Sequence, residues 1–472
     1  MTAYLDHAAT TPMLPLAVAA MVEELSQVGN ASSLHTSGRR VRRVVEEARE
    51  QLAAALGAGP SEVIFTAGGT EADNLAIKGL YWARHDGDPT RRRIVAVATE
   101  HHAVLDPIEW LVEHEGAEAV WLPVDPTGRV DLVVLEQVLA ADPASIALVT
   151  VMWANNEVGT VQPVAEVVTL AHAHGIPVHT DAVQAAGHLP VDFAAVGADA
   201  LTVSGHKLGG PVGAAALLAR RGLGLSPLIH GGGQERGIRS GTLDSAAIRA
   251  FAVAAEHAVA TRPSEVLRLT ALRDQLIDAV LMQVPDAVLR GAPVGVGRGN
   301  GSGSAAVAAD GGPGSAGSDV ESLNRLPGNA HFTFPGCEGD SLLYLLDARG
   351  VECSTGSACQ AGVPQPSHVL LAMGVAEPVA RGALRFSLGH TSTEADVQAL
   401  VEAIGPVVDR ARGAGLTGAE PAKASVARRA ATAPGTATAP GSGLMADASA
   451  RTTRASDSGA SASTILKEEV TP

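Results

Sequence analysis

Short, continuous apolar runs alternate with helical segments along most of the chain, and this alternation limits the fold more than any other feature. Apolar runs of strand length occupy residues 63–66, 94–98, 146–152, 176–180 and 200–204. Helical spacing of apolar residues occupies 39–56, and a further helix is predicted over 164–174. Strands without polar alternation are buried on both faces, so the pattern predicts an α/β fold with a mainly parallel sheet between helical layers.

The chain has 472 residues, which is more than one core usually supports, so we expect two domains. The boundaries that we predict are a large domain over residues 1–255 and a small domain over 256–410. A Gly/Ser-rich insertion at 295–319 and a tail at 411–472 are poor in large apolar residues. We expect both to be disordered, because neither buries enough surface to offset the entropy of ordering.

Charge and cysteine content exclude several classes of protein. The net charge of −16 and the pI near 5.4 argue against direct binding of nucleic acid. The three cysteines argue against a disulfide framework. The first residues do not resemble a signal peptide, and no apolar stretch is long enough to suggest a membrane span. We therefore expect a cytoplasmic enzyme that does not bind membranes and holds no stable metal.

Polar residues follow each predicted strand, at the end where α/β sheets bind ligands. They are Gly68-Gly69-Thr70-Glu71, Thr99-Glu100-His101-His102, Asn155-Asn156-Glu157, Asp181-Ala182-Val183-Gln184 and Gly205-His206-Lys207. Any one of them alone is more typical of a turn, a helix cap or a solvated side chain. Five strands with such ends together indicate a site.

The residue types at these ends fit pyridoxal phosphate. Lys207 supplies an amine for a Schiff base, and Asp181 keeps a pyridinium nitrogen protonated so that the ring accepts electrons. His101 is predicted to lie over the ring, and Gln184 and Asn156 to hydrogen-bond its phenolic oxygen. The predicted phosphate contacts are Gly69 and Thr70 at a helix start, together with Ser204, His206 and Thr242.

Several longer stretches resemble the cysteine desulfurases, a group of the class V aminotransferases. They include YLDHAATTP (4–12), FTAGGTEADNLAIKG (65–79), TEHHAVLD (99–106), VMWANNEVGTVQPV (151–164), HTDAVQAAG (179–187), SGHKLGGPVG (204–213), RSGTLD (239–244), GSACQAG (356–362) and LRFSLGH (384–390). The resemblance implies a fold-type I transferase that depends on pyridoxal phosphate. It has a large domain with a seven-stranded, mainly parallel sheet and a smaller α+β domain.

The resemblance also implies roles for two residues at some distance from the predicted strands. Thr242 is similar to a threonine that reaches the phosphate of the other subunit, which implies a homodimer. Arg385 resembles an arginine that holds the substrate carboxylate, a role that suits a bidentate guanidinium. The sequence departs from the family pattern at Gly69, where alanine is common, at residues 360–362 and in the insertion at 295–319.

Cys359 decides which reaction a pyridoxal phosphate enzyme of this kind performs. It lies among small residues that predict a mobile loop, whereas Cys337 and Cys353 are interpreted as structural. The hypothesis is that the Cys359 thiolate attacks the sulfur of L-cysteine, leaving alanine and a persulfide. Lys207 then serves as the base at Cα and His101 as an acid–base group.

The sulfur acceptor is not readable from these residues. The resemblance implies an iron–sulfur scaffold protein or a tRNA-thiolation enzyme, and the long segment after Cys359 resembles that of the long-loop desulfurases. Cys359 is also a candidate transient ligand of a nascent cluster. The alternatives are a selenocysteine lyase or an aminotransferase on the same scaffold, or a cofactor-binding scaffold without turnover.

Overall fold

The structure is a computed structural model that describes residues 2–294, 323–357 and 365–418. Its strands are β1 (Ala3–Tyr4), β2 (Val63–Thr66), β3 (Arg93–Val97), β4 (Glu118–Leu122), β5 (Ile146–Thr150), β6 (Val178–Asp181), β7 (Ala200–Ser204), β8 (Ala215–Ala219), β9 (Val288–Arg290), β10 (Asn329–Thr333), β11 (Val351–Glu352) and β12 (Ala383–Ser387). Its helices are α1 (Pro15–Leu25), α2 (Thr36–Ala55), α3 (Gly69–Gly87), α4 (His102–Glu115), α5 (Leu132–Ala141), α6 (Val164–His172), α7 (Phe193–Val196), α8 (Ser245–Gln283), α9 (Gly339–Asp347), α10 (His368–Ala372), α11 (Glu377–Ala380) and α12 (Glu394–Gly418).

Seven strands form the main sheet, in the order β2-β8-β7-β6-β5-β3-β4. β8 runs antiparallel to β2 and to β7, and the other neighbours are parallel. The five predicted apolar runs become β2, β3, β5, β6 and β7, which confirms the α/β, mainly parallel fold. Because β8 reverses direction between β2 and β7, all five of these strands end at the same edge of the sheet.

Adjacent residues of β2 and of β3 enter different cores, so the sheet is covered on both faces. Phe65 and Val95 belong to one apolar cluster, whereas their neighbours Ile64 and Ile94 belong to another. α2 covers the first face because its apolar residues recur at helical spacing and are buried. α3 covers the second face with Leu75, Ala76 and Leu80, among others.

The C-terminal part of the chain has its own sheet and core. β12, β10 and β9 form an antiparallel sheet, and Phe332, Leu342 and Phe386 lie in its apolar cluster. α8 runs through residues 255 and 256 without interruption, so the division predicted at that point stays a prediction.

α12 continues past residue 411, where the sequence predicts the tail to begin. Packing explains the extension, because Val408 and Ala411 are buried in the C-terminal core. Arg412 also pairs with Asp286 at 2.8 Å. The insertion at 295–319 and the tail beyond 418 lie outside the described residues. None of the described helices has the length and apolar character needed to cross a membrane.

Candidate active site

The ends of the five strands enclose a cavity of about 400 Å³. Ten of the residues that the sequence analysis selects line this cavity: Gly69, Thr70, His101, Asn156, Asp181, Gln184, Ser204, His206, Lys207 and Arg385. They come from separate segments of the chain that the sheet brings to one edge. The prediction that these strand ends lie together is therefore correct.

Lys207 lies in a short 3-10 turn directly after β7. Its Nζ donates hydrogen bonds to the carbonyl oxygens of Ala8, at 2.5 Å, and Ala9, at 2.6 Å. Burial, reinforced by the charge of Arg385, lowers the pKa of Lys207 to about 8, although Asp6 and Asp181 act in the opposite direction. Near neutral pH, an appreciable fraction of this amine is thus unprotonated and nucleophilic.

Asp181 ends β6 on the floor of the cavity. One carboxylate oxygen accepts a hydrogen bond from the backbone N–H of Val183 at 2.8 Å. Burial raises the pKa of Asp181 to about 6, against the opposing effects of that N–H and of Lys207. A protonated pyridine nitrogen beside this carboxylate would supply the missing positive charge and favour its ionised form.

The start of α3 offers an anion site at one end of the cavity. The first N–H groups of a helix have no partner within the helix and carry partial positive charge. The Ser204 hydroxyl is buried beside them and has no hydrogen-bond partner among the described residues. A β-carbon added to Gly69 would lie 3.6 Å from Cβ of Ser204. His206 also lines this cavity, and its Nδ1 lies 3.3 Å from the Thr10 hydroxyl. A phosphate group fits this set of donors.

His101 caps the N-terminus of α4. Its Nδ1 accepts a hydrogen bond from the backbone N–H of Ala103 at 3.0 Å, so the neutral ring carries its proton on Nε2. Burial, with the charges of Lys207, His102 and His368, lowers the pKa of His101 to about 4. The imidazole is therefore neutral at physiological pH.

Arg385 lies in β12 and joins the C-terminal sheet to the cavity. Its guanidinium donates to the backbone oxygen of Asn156 at 2.8 Å and to the Asp6 carboxylate at 2.7 Å. Its Nε is buried without a partner among the described residues. Asp6 thus bonds part of the guanidinium that the sequence predicts to hold a substrate carboxylate. Asp6 lies in the YLDHAATTP stretch, but its residue type and position alone predict no role for it.

Two buried carboxyl groups at the cavity have no role predicted from the sequence. Asp73 of α3 and Glu157 both line the cavity and are almost fully buried. Burial raises the pKa of each, and the charge of Asp181 raises that of Asp73 further. Both residues lie in stretches quoted above, TEADN and NNEVG. Nothing in the sequence shows that their side chains turn inward.

Two predicted site residues are not among those that line the cavity. Thr242 is exposed. Cys359 lies outside the described residues, although the flanking segments contact the cavity: Gly356 and Ser357 line its rim, and Ser367 donates to Glu157 at 2.5 Å. Cys337 is buried, and burial raises the pKa of Cys353 to about 12, so the Cys353 thiol stays protonated.

Comparison with known proteins identifies the class to which this fold and site belong. Residues 3–294 and 316–400 match the family described as aminotransferase class V. A curated relative from Mycobacterium tuberculosis, named IscS-like cysteine desulfurase, is 56% identical over 417 residues, which cover 88% of this chain and 99% of the relative.

Solved structures agree with the sequence comparison. A structure titled NifS-like protein has a TM-score of 0.74 and 31% identity, covering 87% of this chain and all of that one. Another, titled SspA in complex with cysteine, has a TM-score of 0.65 and 32% identity, and covers 83% of this chain and all of that one. The chain belongs to the class V aminotransferase family and, within it, to the cysteine desulfurases. The predictions of a desulfurase and of a pyridoxal phosphate cofactor are confirmed.

Proposed function

We propose that this chain converts L-cysteine into L-alanine and carries the removed sulfur as a persulfide on Cys359. The observation that carries the proposal is the convergence of Lys207, Asp181 and Arg385 on one buried cavity. Gly356 and Ser357, which precede Cys359 by only a few residues, belong to the rim of the same cavity.

Each part of the cavity suits one part of pyridoxal phosphate. Lys207 would hold the aldehyde carbon, and Asp181 would face the ring nitrogen. The N–H groups at the start of α3, with Ser204 and His206, would hold the phosphate. When bound, the cofactor supplies a ring that withdraws electrons from the α-carbon of the substrate.

The remaining residues act on the substrate. Arg385 would bind the substrate carboxylate, which would replace Asp6 as a hydrogen-bond partner of the guanidinium. Lys207, released from the cofactor, would take the Cα proton, a step that its low pKa favours. His101, with its proton on Nε2 and its Nδ1 already accepting from Ala103, would act as a proton donor toward the substrate sulfur. The Cys359 thiolate would then attack the sulfur, so that the Cβ–S bond breaks, an S–S bond forms on Cys359 and Cβ gains a proton.

We also propose a homodimer, in which Thr242 of one protomer completes the phosphate site of the other. Thr242 is exposed, as a residue with this role must be in a single chain. Val18, Val22 and Leu25 form an exposed apolar stripe on α1, whereas Ala17 and Ala20 on the same helix are buried. Such a stripe is typical of a surface that a partner covers.

The proposed acceptor of the sulfur is an iron–sulfur scaffold protein or a tRNA-thiolation enzyme, in the cytoplasm. The long segment between Ser354 and Ser367 supports this proposal, because Cys359 would need reach to meet another protein. The free thiols of Cys337 and Cys353 agree with a reducing compartment. Transfer of labelled sulfur to each purified acceptor would identify the partner.

The central experiment mixes the purified protein with ³⁵S-labelled L-cysteine and measures alanine and label on Cys359. We expect equal amounts of both in the first turnover. Cys359→Ser should keep the bound cofactor and produce no alanine. Cys353→Ser is the matched control and should keep activity. Alanine formation at the normal rate by Cys359→Ser would contradict the proposed role, and keto-acid-dependent alanine formation would indicate an aminotransferase.

A further inference from the structure

A second cavity, of about 280 Å³, adjoins the cofactor site near residues 7–11. Four histidines line it: His7, His188, His257 and His390. Leucines form much of the remaining wall: Leu14, Leu208, Leu269, Leu326 and Leu388. None of these residues has a part in the proposed reaction.

Among the described residues, Glu265 is the acidic side chain that lines this histidine cavity, and it is already paired. Arg268 donates to both oxygens of Glu265, at 2.7 and 3.1 Å. Meanwhile the ring nitrogens of His188 and His257 have no hydrogen-bond partner within the described part of the chain. His188 and His257 therefore offer imidazole N–H groups to an acceptor that enters the cavity, whereas the rings of His7 and His390 already contact the Thr11 hydroxyl.

We propose that the histidine cavity is a binding site for a small carboxylate with an apolar body. The imidazoles would donate hydrogen bonds to the carboxylate, and the leucine wall would hold the aliphatic part. The volume lies just below the range of about 300–1,000 Å³ typical of drug-sized ligands, so it suits a smaller molecule. Among the described residues, no group of His, Cys, Asp or Glu is arranged to hold a metal ion.

The charges around the histidines predict how binding depends on pH. Burial lowers the pKa of His7 to about 4, helped by His390 and His188 and by Arg268, while Asp396 opposes it. Burial also lowers the pKa of His188 and of His390; Glu265 opposes both shifts, whereas Arg268 and His257 add to that of His390. A bound anion would raise these pKa values, so binding takes up protons and strengthens as pH falls.

The histidine cavity shares a wall with the cofactor site. Ala8, Gln184 and Lys207 line both, and Gln184 donates to the Ala8 carbonyl oxygen at 2.9 Å. An anion in the histidine cavity would raise the pKa of Lys207 and so reduce the neutral amine. Occupancy should therefore slow turnover; this second part rests on the proposed function, whereas the binding itself does not.

The test titrates the full-length holoenzyme with hexanoate by calorimetry at pH 6 and pH 8, with hexanamide as the uncharged probe. We expect one hexanoate per chain, an affinity on the order of tenfold higher at pH 6, and much weaker binding of hexanamide. His257→Gln/His390→Gln should weaken hexanoate binding about tenfold or more. Ala258→Leu, which fills the cavity from α8, is the second variant, and His114→Gln is the matched control.

Arg385→Gln separates the two cavities, because Arg385 lines the cofactor site alone and would attract a carboxylate there. Retained hexanoate binding in Arg385→Gln supports the histidine cavity, and loss of binding there overturns the proposal. Unchanged binding in both cavity variants, or no saturable binding at pH 6, also overturns it. Hexanoate should lower the rate of alanine formation by the wild type and leave that of His257→Gln/His390→Gln unchanged. If hexanoate bound without changing the wild-type rate, the coupling to Lys207 would be wrong, and the proposed binding site would stand.

Discussion

Lys207 is surrounded by groups that adjust its amine for reaction at near-neutral pH. Because burial and Arg385 lower its pKa to about 8, the apoenzyme should add pyridoxal phosphate at a rate that rises with pH and reaches half its maximum near pH 8. An ordinary lysine, with a pKa of about 10.4, would require a far more alkaline solution. The increase in cofactor absorbance after mixing gives this rate directly.

Arg385→Gln tests the cause of that pKa. Removing the positive charge should raise the pKa of Lys207 and move the midpoint of the rate profile to higher pH. Arg381→Gln removes the same charge from an exposed position on the surface and should leave the midpoint in place. A midpoint that did not move in Arg385→Gln would refute the electrostatic explanation.

Ser204 provides a prediction in which folding and binding respond in opposite directions. Its hydroxyl is buried and has no hydrogen-bond partner in the part of the chain that the structure describes, and an unsatisfied buried group costs about 1–3 kcal/mol. Ser204→Ala should leave the free energy of unfolding of the apoenzyme unchanged or higher, yet raise the dissociation constant of pyridoxal phosphate about tenfold. Denaturant unfolding and equilibrium cofactor titration measure the two quantities.

Ser387→Ala is the comparison for Ser204, since the Ser387 hydroxyl is buried but accepts a hydrogen bond from the N–H of Ala8. This variant should lose about 1 kcal/mol of apoenzyme stability. If Ser204→Ala destabilised the apoenzyme as much as Ser387→Ala and bound the cofactor normally, the Ser204 hydroxyl would be structural.

At the level of single residues, the sequence predicts which side chains meet at the site. It does not predict the hydrogen-bond partners that fix their positions. Lys207, Asp181 and Ser204 follow recognisable strands, so their meeting at one sheet edge is predictable. The partners of Lys207 are the carbonyl oxygens of Ala8 and Ala9, and backbone groups leave no mark in residue type. Asp6 bonds Arg385, which lies far from it in the sequence. Hydrophobic periodicity predicts which face of an element is buried, but it does not predict which distant residue that element contacts.

At the level of elements, the strand β8 was not predicted, because its place in the sheet depends on contacts with strands distant in the sequence. The run 214–219 contains only alanine and leucine, which suit a helix as well as a strand, so the sequence analysis did not select it. Its place in the sheet follows from pairing with β2 and β7 on either side. The domain division predicted at residue 255 falls inside α8 for a related reason: one helix contributes to two cores.

The buried pair of Arg49 and Glu235 joins α2 to the segment that leads to Thr242. Glu235 bonds Arg49 at 2.6 and 2.8 Å and accepts from the N–H of Phe65 in β2 at 2.9 Å. Glu235 and Arg236 also have positive φ angles, 45° and 59°, which few side chains adopt. The carboxylate thus holds this turn against the edge of the sheet.

Glu235→Gln should lower the free energy of unfolding by about 3 kcal/mol, because it removes the buried carboxylate that neutralises Arg49 and leaves that charge beside the more exposed carboxylate of Glu46. Glu47→Gln removes one member of an exposed pair with Arg43 on the same helix and should change stability by less than about 0.5 kcal/mol. Urea unfolding measures both changes. Equal losses of unfolding free energy would show that the buried Glu235 pair stabilises the fold no more than the exposed Glu47 pair.

At the level of the whole molecule, the exposed position of Thr242 makes the proposed dimer testable through shared sites. In Lys207→Ala, each site lacks its amine, and in Thr242→Ala, each site lacks the hydroxyl contributed by the neighbour. A mixed dimer of the two variants combines Lys207 of one chain with Thr242 of the other, so it contains one complete site and one site that lacks both groups.

An equal mixture of the two variants, unfolded and refolded together, should therefore regain activity. Half of the randomly formed dimers are mixed and each has one complete site, so roughly a quarter of all sites are intact. Alanine formation at limiting pyridoxal phosphate should rise to about that fraction of wild-type activity, whereas each variant refolded alone stays low. A mixture no more active than the average of its components would mean that Thr242 serves its own chain or none. A sedimentation experiment on the same samples would then decide whether the chains associate at all.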